Sequence, residues 1–152
     1  REPIMASLKW AWQYSATNGK SPLAHGRLWT NVKRNEDGYY LVKEIKGRRD
    51  GVKIDSLLPA GTSIPGNVDT ITGQPYPGDN RIRPQSTKPD RPQLTGSGII
   101  FSLNDGSYSN LFYATNPPIS SNFEFHSASP YPNGVVPPNT ESLIGFEARI
   151  IT

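Results

Sequence analysis

At 152 residues, 34% of them hydrophobic and none cysteine, the chain suits one packed domain spanning 1–152 and excludes disulfides, thiolate nucleophiles and cysteine-based zinc sites. Its 14 glycines and 15 prolines leave little room for long helices, and no apolar run reaches the roughly 18 residues of a membrane span. The net charge of +3 is uneven: residues 1–53 hold eleven Lys/Arg against five acids, and the remainder five against eight.

Arg1-Glu2-Pro3 opens directly onto a strand-like segment, as in a mature product from which a leader has been removed. Ile4, Ala6, Leu8, Trp10, Trp12 and Tyr14 share one parity, the signature of a half-buried strand. Asn18-Gly19 reads as a turn into a second strand over 24–32, and Asn35-Glu36-Asp37-Gly38 as a turn into a third over 39–45. Arg48-Arg49-Asp50-Gly51 signals a hairpin that continues through Val52, Ile54 and Leu57. Lys46, Arg48 and Arg49, the one tight basic cluster, are expected at its solvated tip, and nucleic-acid binding is not expected.

Seven prolines interrupt residues 59–92, so the segment 59–95 is expected to be a long irregular loop. Strands return at 99–103 and 108–113 around Asp105-Gly106, then briefly at 123–125 and finally at 143–151. Strands joined by closely spaced turns predict an all-β, antiparallel fold. The alternatives are a β-sandwich of jelly-roll or Ig-like type and an open barrel with a Pro/Gly-rich central loop.

The phrases Tyr40–Gly47 (YLVKEIKG), Gly51–Gly61 (GVKIDSLLPAG), Gly78-Asp79-Asn80, Gln93-Leu94, Gly98–Phe101 (GIIF) and Tyr108–Tyr113 (YSNLFY) occur in this order. Together they resemble a group of secreted bacterial proteins, common in cyanobacteria, many of which carry a PEP-CTERM sorting tail. The resemblance implies export and association with a surface or extracellular matrix. It carries no catalytic residues over, and the Pro-Glu-Pro tail is not among these 152 residues, as expected if it was removed or is not used for anchoring.

No motif for catalysis emerges. Gly96-Ser97-Gly98 is not a nucleophile elbow, and His25 and His126 stand far apart, each more naturally packed or hydrogen-bonded than catalytic. Paired carboxylates would suffice for a glycan-active hydrolase, but Asp37, Asp50 and Asp105 each precede a turn glycine, which explains them without chemistry. No cofactor is required. Asp69, Asp79 and Asn80 supply hard oxygen ligands that would suit Ca²⁺, with Asx turns as the alternative. Lys9, beside two tryptophans, is the one residue placed for an isopeptide cross-link.

Two functions follow. The first is an extracellular structural or adhesive module that self-associates into filaments or matrix, adding the strand of Ile4, Ala6, Leu8, Trp10, Trp12 and Tyr14 to a neighbour's sheet, with pairing of residues 4–14 inside their own sheet as the alternative. The second is binding of a polysaccharide or other surface ligand through exposed aromatic residues, of which Trp29 and Tyr76 are the candidates.

Overall fold

The computed structural model describes residues 6–17, 22–88, 91–116, 119–137 and 139–151. Nine strands form among them: β1 (Leu8–Ala16), β2 (Ala24–Thr30), β3 (Tyr40–Arg49), β4 (Val52–Leu57), β5 (Arg81–Ile82), β6 (Ile99–Leu103), β7 (Tyr108–Asn116), β8 (Ile119–Ser127) and β9 (Ser142–Ile150). All pairings between strands are antiparallel. Each strand except β5 lies beside its neighbour in sequence, with β4 followed by β6. The ring closes because β1 pairs with β9 as well as β2, and β3 with β2 as well as β4. The antiparallel all-β expectation therefore holds, but as a closed eight-stranded barrel in place of a sandwich.

Closure has a direct energetic reason. A strand with partners on both sides satisfies its backbone amides and carbonyls, and eight strands enclose an interior that side chains alone can fill. Trp10, Trp12, Tyr14, Leu28, Ile45, Ile54, Phe101, Leu111, Ile144 and Phe146 form this core. The parity of the first strand is thus the inward face of β1. The Asp50-Gly51 turn has positive φ at both residues (49° and 79°), the geometry that matches strand twist across a two-residue hairpin.

The central segment is irregular, as expected, but it is packed at two places. Ile82 and Leu94 are fully buried in the barrel core at the end where β5 pairs with Tyr40 and Leu41. There the Gln93 side chain donates to the Ala148 carbonyl and accepts from its amide, replacing a strand partner on β9. Earlier in the segment, Ile64 joins Val135 over the outer face of β6, β7 and β8. Together they cover Ile100, Phe112, Phe123 and Phe125 as a second core.

Candidate functional site: a cationic aromatic face

The expected assembly strand is accounted for inside its own chain. β1 pairs residue for residue with β2 over Leu8–Tyr14 and with β9 over Trp10–Ala16, which leaves no free edge for a neighbour. Trp10, Trp12 and Tyr14 are buried, Leu8 packs against the same core and Ala6 is exposed; Ile4 lies outside the described residues. Of the two pairings open to this strand, the one inside its own sheet is formed, and its apolar side chains face the barrel axis.

The calcium candidates serve turns. Asp69 accepts from the amides of Ile71 and Thr72 and from the Tyr76 hydroxyl, and these bonds hold its carboxyl below the usual range. Asp79 accepts from Thr95 and from the amide of Arg81. Asn80, at φ 55°, spans the Leu58 carbonyl and the Ile100 amide with its amide side chain. Among the described residues no group of three or more His, Asp or Glu is gathered as metal ligands.

The polar end of the barrel holds a network that the sequence did not announce. Glu124, 1% exposed at its side chain, takes a bidentate pair from Arg49 at 2.7 and 2.8 Å. Its Oε2 also accepts from Tyr14 at 2.6 Å and Ser109 at 2.8 Å. Burial opposes ionisation of Glu124, but the Arg49 guanidinium and the added donors outweigh it and hold the carboxyl below its ordinary value. The same burial and the adjacent carboxylate push the Tyr14 phenol well up. Ser109 further contacts His126 Nδ1 at 2.9 Å. This order, Glu–Ser–His, differs from that of a catalytic triad, in which the imidazole stands between serine and acid. Ser109 is also fully buried. Arg49, expected on a solvated hairpin tip, is turned inward because it shares strand parity with Ile45 and Gly47, whereas Lys46 and Arg48 point out.

The outer face of β4, β3, β2, β1 and β9 is different in kind. Strand register sets its side chains in rows: Glu44, Trp29 and Lys9; Lys46, Arg27, Ala11 and Arg149; then Lys53, Arg48, His25, Gln13 and Glu147. Lys46 therefore stands directly opposite Arg27, and Arg48 opposite Lys53. Like charges opposite one another across a strand pair are destabilising. None of Lys9, Arg27, Lys46, Arg48, Lys53 or Arg149 forms an ion pair among the described residues. Trp29 is partly exposed, with the ammonium groups of Lys9 and Lys46 each 5.8 Å from its ring centroid. That distance is just inside the reach of a cation–π contact of about 6 Å, so both ammonium groups stand over the ring. Lys9, considered for an isopeptide bond, thus points outward onto Trp29. Ala11 floors a groove of about 540 Å³ whose walls include Arg27, Arg149, His25, Gln13 and Gln85.

Tyr76, the other aromatic candidate, is on a different wall. It lines a smaller cleft of about 220 Å³ with Phe112, Tyr113 and Val135, over β7, while Trp29 belongs to β2. In the ring order β2 and β7 are on opposite sides of the barrel, so the two candidates do not form one site. No family model matches the chain, and no match is found among curated proteins or solved structures.

Proposed function

We propose that this protein is an extracellular adhesive module that binds an acidic polysaccharide through the outer face of β4, β3, β2, β1 and β9. The observation that carries this reading is the run of unneutralised, like-charged cross-strand neighbours beside the partly exposed Trp29. A sheet that only needed to fold would gain by alternating charge at these positions. An anionic chain laid over the face would relieve the repulsion, and Trp29 would offer its ring to the apolar side of a sugar. The phrases resembling secreted, surface-associated bacterial proteins support placing this module outside the cell. Adhesion by ligand capture also fits a β1 whose two edges are both consumed within the chain.

Titration of the protein with high-molecular-weight hyaluronan and with neutral dextran tests this. The acidic polymer is expected to bind, more weakly as salt rises, and the dextran not to bind. Trp29→Ala is expected to weaken the complex about ten-fold, equivalent to roughly 1.4 kcal/mol, and Lys46→Glu to weaken it further. Equal binding of both polymers, or full affinity in both variants, would remove the proposal's support.

A further inference from the structure

We infer that Arg27 and Arg149 form a two-point clamp for successive acid groups of that polysaccharide, with Ala11 as the floor between them; the inference rests on the binding role proposed above. Three adjacent strands place the arginines. Ala11 pairs with Arg27 on one side and with Arg149 on the other, so two interstrand steps separate their backbones, about 10 Å at the usual strand spacing. The residue between them is the smallest side chain in its row, which leaves the groove open at that point. Both arginines are exposed. Arg27 gives one N–H to the Gly26 carbonyl at 3.0 Å, which steadies the guanidinium while most of its five donors remain for a ligand.

Glu147, which also lines the groove, does not fill the clamp. It accepts from Gln13 at 2.6 Å and from neither arginine among the described residues. The backbone separation also suits one class of ligand, because both arginine side chains can reach groups spaced near it. An unbranched polysaccharide with one carboxylate or sulfate on every second sugar presents acid groups at an interval of this size. A nucleic-acid duplex instead carries a charge about every 3.4 Å along each strand, and Glu44 and Glu147 within the face would repel so dense a polyanion. Trp29 stands one row further along β2 from Arg27, on the same outward parity, where a ring bridging the two acid groups can lean against it.

Hyaluronan oligosaccharides of two and four sugars, carrying one and two carboxylates, separate the clamp from the general reading. In the wild-type protein the tetrasaccharide is expected to bind at least ten-fold more tightly than the disaccharide, because its second contact is made at high effective concentration. In Arg149→Ala and in Arg27→Ala that gain is expected to fall to about three-fold or less, with Arg149→Lys recovering part of it. A full length-dependent gain in both alanine variants, alongside Trp29-dependent binding of the polymer, would overturn the clamp and leave the binding face standing. Failure of the polymer and both oligosaccharides to bind would overturn both. Tighter, arginine-dependent binding of oligothymidine than of the tetrasaccharide would assign the face to nucleic acid and likewise overturn both.

Discussion

Arg49→Met is expected to lower the unfolding free energy by about 3–5 kcal/mol, the usual cost of leaving one member of a buried ion pair alone. Glu124 would keep the hydroxyls of Tyr14 and Ser109 but lose both hydrogen bonds from Arg49 and the guanidinium charge that offsets its burial. The double variant Arg49→Met, Glu124→Leu should recover a large part of the loss, because it removes the stranded charge together with its partner. Urea unfolding of the two variants measures both effects; a single variant as stable as the wild type would contradict the network's role. The pH dependence has a definite sign. Glu124 has a depressed folded pKa, so its stabilisation is present above the ordinary carboxylate range and is lost as pH falls through the folded value. His126 is also depressed, first by burial and then by the Arg49 charge. Its contribution is therefore present above the ordinary histidine value of about 6.5 and declines as pH falls through the folded value. In Arg49→Met, burial of Glu124 is opposed by the Tyr14 and Ser109 hydroxyls without the guanidinium, so acid unfolding should begin at a higher pH.

Gly47→Ala is expected to be at least as damaging. A Cβ at Gly47 would lie 2.2 Å from the His25 carbonyl oxygen and 2.9 Å from Trp12 Cζ2, at φ 150°. Across the pair, a Cβ at Gly26 would lie 2.0 Å from the Lys46 carbonyl oxygen. The two glycines face each other in register and next to Trp12, so the indole occupies the space their missing side chains leave. An added methyl must displace backbone or a fully packed ring, at a cost expected to exceed about 3 kcal/mol, the upper end for overpacking. Gly51→Ala supplies the comparison, since its φ of 79° is strained for alanine but nothing lies within 4 Å. That change should cost only about 1–2 kcal/mol. Thermal melting of the two variants distinguishes packing from backbone strain, and equal melting temperatures would contradict the packing account.

These two features mark how far the sequence could be read. Alternation from Leu8 to Tyr14 was legible because one face of β1 is apolar throughout its inward positions. Asp50-Gly51 was legible because turn chemistry is local. Closure was not, since it depends on the pairing of Trp10 with Ile150, which no local pattern encodes. β8 runs over Ile119–Ser127, longer than the 123–125 its sequence pattern predicts. Its phenylalanines face outward beneath the loop, and the inward positions between and beside them are the polar Glu124 and His126, an inversion of the usual alternation. Arg49 looked like another hairpin-tip cation because nothing within three residues names its partner, 75 positions away. Trp29 was identified by type, but the rows of cations beside it required the register of five strands.

The most direct measurement is a map of backbone amide chemical shifts during titration of isotopically labelled protein with hyaluronan tetrasaccharide. Perturbations are expected on β1, β2, β3 and β9, strongest around Ala11, Arg27, Trp29 and Arg149, with the Tyr76 cleft over β7 unchanged. Perturbations centred on that cleft, or none at saturating ligand, would contradict the proposed binding face.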